Sequence, residues 1–272
     1  CCCICVALVL RCLLLYVAAI LGIGAYLVDE NVSCHSSLVF FLMIRRSPRA
    51  NLDRSSAASD VYKRQAKAHG VKRLVNFQTA LCYGRPSQLP IPASHPTAPF
   101  TSYGITKTAG EQFMLLSGVP TLSLRIANVT GPRLAIGPIP TFYKRLKAGQ
   151  NCFCSDTSRD FLDMSDFLAF MDMAIKPDAP IGVFNIASGE AHSIKEIFDL
   201  VAEYLGLGSM DVPVVPPAAD DVPVVSLDSS ETLKAFGWQA RIGFAETIKR
   251  QLAWYDEYGI TDVFSHLKAP SR

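Results

Sequence analysis

From Ala66 onward the sequence predicts an α/β fold. Three observations predict it. Apolar runs of strand length recur at Arg73–Thr79, Thr121–Ala127 and Gly182–Ala187. Helical patterns separate or follow them. Turn formers mark the joints, above all a loop after Arg85 with prolines at 86, 90, 92, 96 and 99.

The first run, RLVNFQT, leads through Ala80-Leu81-Cys82-Tyr83-Gly84 into that proline-rich loop. A helix follows, with Ile105, Ala109, Phe113 and Leu116 spaced to form one buried face. The next strand, ending at Ala127, runs into a turn at Thr130-Gly131-Pro132. Tyr143 to Lys147 lies in a basic amphipathic stretch, expected to be a solvated helix face. After the third strand, Ser193 and Glu196 form a capping box that opens a helix from Ile194 to Leu205, stopped by Gly206. Asp211 to Pro223 reads as extended surface chain, and Phe244 to Tyr258 as a last amphipathic helix. Residues 66–272 suffice for one compact domain.

Tyr103-Gly-Ile-Thr-Lys107 carries the chemistry. The Tyr and the Lys are one helical turn apart and share a face. A neighbouring ammonium favours the phenolate, so the Tyr can exchange a proton with an alcohol oxygen. Thr79, at the end of the preceding strand, can bond the same oxygen. Thr79, Tyr103 and Lys107 are therefore the candidate catalytic residues of a hydride-transfer site. Tyr143 and Lys147 repeat the spacing with no strand or hydroxyl leading into them. His95, in the proline-rich loop, and His192, before the helix cap, read as surface residues.

Several segments, in order, resemble the second part of an extended short-chain dehydrogenase/reductase of the NAD-dependent epimerase/dehydratase family. They are Gln78–Gly84, Leu124–Arg133, Arg159–Asp166, Phe236-Gly237-Trp238 and Trp254-Tyr255. The resemblance implies an incomplete Rossmann-type parallel sheet, its first strands missing, with a small C-terminal substrate-binding α+β part. It implies NAD as cofactor, NADP being the alternative, held through Tyr103 and Lys107. It implies a nucleotide-sugar substrate contacted by Asn128 and Arg159, Arg159 on the diphosphate. The segment Arg159–Asp166 is expected to open a helix. On other readings Asn128 only forms the turn, and Arg159 pairs with Asp160 or Asp163. Dehydratases of the family carry an Asp-Glu pair after the Thr. Here Ala80 and Leu81 stand there, and neither moves a proton, so epimerisation or simple oxidoreduction is expected. A second nucleotide-binding Arg of the family is lacking in Pro216–Asp221, which leaves open a substrate other than the usual uridine nucleotide, or one that is not a nucleotide sugar. A homodimer and a cytoplasmic location are further expectations.

Residues 1–65 differ in kind. Residues 1–28 are almost wholly apolar, with Arg11 the one charge before Asp29. That length could span a bilayer, with Arg45, Arg46, Arg49 and Arg54 on the cytoplasmic side. Residues 40–65 resemble translated sequencing-adapter sequence, so 1–65 is expected to be non-native and outside the fold, and the domain to begin at Ala66. No glycine-rich dinucleotide loop precedes Thr79, so the chain is expected to be a fragment that turns over poorly alone. Six of nine cysteines lie in the first 34 residues. The remaining three, Cys82, Cys152 and Cys154, have no zinc-ligand spacing, so no metal site is expected. A net charge of +2 argues against nucleic acid as a partner. The alternatives to an epimerase are a reductase or dehydrogenase of the same fold and a non-catalytic, membrane-anchored sugar-binding module.

Overall fold

The structure, a computed structural model, describes the backbone of Leu38–Phe41 and residues 66, 69–218 and 221–260. A four-stranded parallel sheet forms its first layer, in the order β1 (Leu38–Phe41), β2 (Arg73–Thr79), β3 (Thr121–Ile126), β7 (Gly182–Ile186). Thr79 lies beside Ile126, and Ile126 beside Ile186, so the three long strands end level. β1 runs parallel to β2, with Leu38 opposite Arg73. Among the described residues β1 is all that belongs to segment 1–65. The apolar stretch 1–28 lies outside them. No helix among the described residues is long and apolar enough to cross a membrane.

The central strands alternate with period two, and each face receives its own helix. Leu122 and Leu124 join Phe167 and Phe170 of helix α3 (Met164–Ala174) in one core. Phe77 meets Phe167 edge to face at 6.0 Å on that side. The other face is polar and buried beneath helix α1 (Ser102–Leu115). There Glu111 accepts from Ser123 Oγ (2.6 Å) and pairs with Arg125 (2.9 Å), and Asn76 donates to Ser123 Oγ (2.9 Å).

This polar layer reverses the expected face of α1. Its buried residues are Gly104, Thr106, Lys107, Gly110, Glu111 and Met114. Ile105, Phe113 and Leu116 are exposed, Leu116 by 75%. Glu111 and Arg125 satisfy each other across α1 and β3, so burying them avoids the cost of unpaired charge.

A second layer is built on β6 (Ser158–Asp163). It pairs with β4 (Asn128–Thr130) and with β10 (Val224–Val225) in parallel, and with β8 (Ala191–Ser193) antiparallel. Leu162 faces the first core. Phe161 faces a second core with helices α2 (Pro138–Lys147), α4 (Ile194–Tyr204) and α6 (Phe244–Tyr258). The capping box of α4 forms as expected, Ser193 Oγ accepting from Glu196 N and Glu196 accepting from Ser193 N. Asp211–Pro223 contains one short strand, β9 (Val214–Val215), parallel to β5 (Cys154–Ser155). Helix α5 (Ser230–Phe236) ends at Gly237, left-handed at φ 65°. That turn delivers Trp238 onto Phe170 (5.2 Å) and its Nε1–H to the Asp166 carbonyl.

One expectation here is met and one is corrected. The segment Arg159–Asp166 opens a helix as expected: its first residues lie on strand β6, and the helix starts at Met164, capped by Asp163 on Ser165 N (2.7 Å). Tyr143 is 4% exposed, so it lies off the solvated face of this helix, which Lys144 and Lys147 form. The Tyr143 hydroxyl donates to Asp256, which also holds Lys147 (2.9 Å) and Tyr204 (2.7 Å). These contacts fasten α2, α4 and α6 together and occupy this second Tyr-x-x-x-Lys.

Candidate active site

Thr79 ends β2 and caps the 3-10 turn Ala80–Tyr83, its Oγ accepting from Leu81 N at 3.2 Å. Accepting leaves the hydroxyl proton free to donate to an oxygen placed above the strand end. Thr101 caps α1, accepting from Gly104 N at 3.0 Å, and puts Tyr103 in the first helical turn. Positive partial charge at that end favours a developing phenolate. Gly104 lets this turn lie on the one after Thr79. A Cβ there would come within 2.8 Å of the Leu81 carbonyl oxygen. Two tight turns thus hold the Thr and the Tyr side of the site against each other.

Lys107 closes the third side. It is 8% exposed, and its Nζ donates to the Phe77 carbonyl at 3.1 Å, two residues before Thr79. Burial pushes its pKa down to about 8. Tyr103 is 37% exposed. The structure therefore brings Thr79, Tyr103 and Lys107 to one end of β2, with Tyr103 exposed and Lys107 buried.

The proline-rich loop is anchored from behind. Arg125 donates to the Ala93 carbonyl (3.1 Å) and lies 4.8 Å from the centre of the Tyr83 ring. Tyr83 donates to Asn185 (2.6 Å), and Asn185 donates to the Ile91 carbonyl (2.8 Å). Desolvation pushes the Tyr83 hydroxyl up to about 12, so it is a structural donor. Gly84 permits the return of the loop, since a Cβ would fall 2.0 Å from the Ala98 carbonyl oxygen. None of these supports was singled out in the sequence. Their signal was available in Arg125 and Asn185, polar residues inside apolar strands.

Asn128 and Arg159 come together on the second sheet, away from the triad in sequence but next to each other in the fold. Asn128, exposed, lies opposite Phe161 in the β4–β6 pair, two residues along from Arg159. Arg159 pairs with Asp221 (2.5 Å), not with Asp160 or Asp163, and donates to the Ser158 and Pro223 carbonyls. Asp160 is instead buried, accepting from Ser188 and from the amides of Gly189 and Leu227. His192 is not a plain surface residue. Its ring stacks on Phe244 at 3.9 Å and 6°.

A family model described as GDP-mannose 4,6 dehydratase matches residues 60–266. The chain belongs to this family, in the NAD-dependent epimerase/dehydratase group. The match begins six residues before the expected boundary at Ala66. A crystal structure of the Bordetella bronchiseptica enzyme WbmG in complex with NAD superposes with a TM-score of 0.79. It is 60% identical and covers 85% of this chain and 75% of that one. A WbmG complex with NAD and UDP gives 0.72 at 63% identity, over 82% and 71%. A putative UDP-glucose 4-epimerase of Methanocaldococcus jannaschii is 28% identical over 183 residues, 63% of this chain. The chain spans 59% of that protein's length and 54% of UDP-arabinose 4-epimerase 1 of Arabidopsis thaliana. The Rossmann-type parallel sheet expected from the sequence is the sheet observed.

Proposed function

We propose that this chain is the acid–base and substrate-binding part of an NAD-dependent sugar-nucleotide epimerase. The observation that carries the reading is Lys107, a buried ammonium one turn from Tyr103 and tied to the strand that ends in Thr79. An ammonium has three donors, and one is used by Phe77. The remaining donors fit the hydroxyls of a nicotinamide ribose, so the residues present suit NAD. When bound, NAD supplies a hydride acceptor and donor.

The chain's own residues do the rest. Thr79 donates to the substrate hydroxyl and orients it. Tyr103 takes the proton of that hydroxyl and later returns one to the same oxygen. Lys107 favours the phenolate that exists between these steps. Ala80 and Leu81 offer no group to remove a proton from a neighbouring carbon, so water is not eliminated although the family model is described by a dehydratase. Asn128 and Arg159 hold the nucleotide part. Arg159 keeps its Nε–H and one Nη2–H for a diphosphate while Asp221 fixes the guanidinium plane. The support for a uridine nucleotide is the WbmG complex with UDP and the names of the curated relatives.

The native gene product, with NAD and a panel of UDP-hexoses, tests this. The reading expects products of unchanged mass with one inverted carbon. A product lighter by one water would replace it with dehydration. Sequencing the gene across Gln65–Ala66 tests whether segment 1–65 belongs to the protein. The expectation is a native sequence that diverges upstream of Ala66.

A further inference from the structure

We infer that Gln78 is a positioning residue, which holds the end of β2 so that Thr79 presents its hydroxyl to the substrate. The inference rests on the epimerase reading of the site at Thr79, Tyr103 and Lys107. Backbone N–H and C=O groups of successive strand residues point alternately to the two edges of the strand. Leu74 N donates to the Pro120 carbonyl, on the β3 side. Phe77 and Thr79 stand an odd number of residues from Leu74, so their backbone groups point to the other edge, where β1 lies. β1 pairs with β2 from Arg73 to Asn76. Beyond Asn76 no strand among the described residues lies on that edge. Two side chains stand in for it. Lys107 Nζ donates to the Phe77 carbonyl at 3.1 Å, and the Thr79 amide donates to Gln78 Oε1 at 2.8 Å.

Gln78 is placed for this contact by the layer beneath α1. Asn76, two residues earlier and on the same face, donates to Ser123 Oγ, and Ser123 donates to Glu111 of α1. Gln78 therefore stands on the side from which Lys107 reaches β2, and it is 3% exposed. An amide N–H needs an acceptor, so Thr79 fixes the carboxamide with its oxygen toward the strand end. That leaves Gln78 Nε2 buried with no hydrogen bond among the described residues. A buried donor without an acceptor is a cost that an apolar side chain at this place would not carry. What the carboxamide supplies is the bond to Thr79. Thr79 Oγ in turn accepts from Leu81 N at 3.2 Å. Thr79 is thus tied at both its amide and its hydroxyl oxygen, which narrows where the hydroxyl proton can go.

The test compares the native gene product with its Gln78→Met and Gln78→Glu variants. The readouts are hydrogen exchange of the Thr79 amide and turnover of UDP-hexoses with NAD. Met has a similar length, no oxygen and no unpartnered donor. In Gln78→Met, exchange at Thr79 should quicken about tenfold. Its kcat should fall about 10- to 100-fold while KM stays within about twofold. The melting temperature should not fall, because the bond to Thr79 and the unpartnered Nε2 disappear together. Gln78→Glu keeps an oxygen at the same reach and should restore protection of the Thr79 amide. A Gln78→Met variant with a lowered melting temperature and unchanged kcat would make Gln78 a structural residue and overturn the inference. Unchanged exchange at Thr79 in that variant would overturn it as well. An unaltered protein that turns over no UDP-hexose would instead overturn the epimerase reading, whatever the exchange at Thr79.

Discussion

Replacing Lys107 by Met should stabilise the ligand-free protein while removing its catalytic competence. The ammonium is buried with one hydrogen bond, and burial lowers its pKa from 10.5 to about 8. Each pKa unit is worth about 1.4 kcal/mol, so holding the charged form inside costs about 3 kcal/mol at neutral pH. Met fills much the same volume without charge and forfeits one hydrogen bond, worth about 1 kcal/mol. The net expectation is a gain of about 2 kcal/mol. The sign with pH follows from the lowered pKa. Below about pH 8 both folded and unfolded chains carry the proton, and the cost is complete. Between about 8 and 10.5 the unfolded chain binds more protons than the folded one. Stability of the unaltered protein therefore rises through that window, and the advantage of Lys107→Met disappears by its upper end. Urea unfolding at pH values on either side of the window measures both effects. A variant less stable than the parent at neutral pH, or a difference that ignores pH, would refute the reasoning.

Glu111→Gln should cost about 3–5 kcal/mol in urea unfolding, because it leaves Arg125 buried without its partner. Replacing Glu111 and Arg125 together by apolar residues should cost less than Glu111→Gln alone. Asp256→Asn should cost about 1 kcal/mol, discounted because the carboxylate is partly exposed. Hydrogen bonds from Tyr143 and Tyr204 lower the Asp256 pKa from 3.8 to about 2. Its contribution is therefore present above about pH 4 and lost as pH falls toward 2, which acid unfolding of the two proteins compares. Arg159→Ala, in a complete enzyme, should raise KM more than it lowers kcat, and Arg159→Lys should rescue only part. Steady-state kinetics with an unchanged KM would make Arg159 an ordinary structural ion pair with Asp221.

The strands were legible because each is an apolar run closed by turn formers. Helix α4 was legible because Ser193 and Glu196 stand three apart and sit next to its first residue. Local pattern suffices for such elements. It failed on α1, where Ile105, Phe113 and Leu116 have the spacing of a core face. What settles that helix is the bond that Arg125, fourteen residues away and on another element, donates to Glu111. The same holds for Arg159, whose partner Asp221 is 62 residues distant, and for Tyr143, whose partner Asp256 is 113 away. The triad itself was readable because strand end, loop and helix start follow one another within 29 residues of sequence. The stacking of His192 was not, since its partner Phe244 lies on a separate helix.

The central claim is that Tyr103 moves the proton of the hydroxyl on the reacting carbon. The direct measurement is turnover of a relative such as WbmG, with Phe at the position matching Tyr103, alongside Phe at the position matching Tyr143. The account predicts a loss of about 10²–10⁴-fold in kcat for the first, with an unchanged melting temperature, and near-normal turnover for the second. Near-normal turnover with Phe at the Tyr103 position would contradict it.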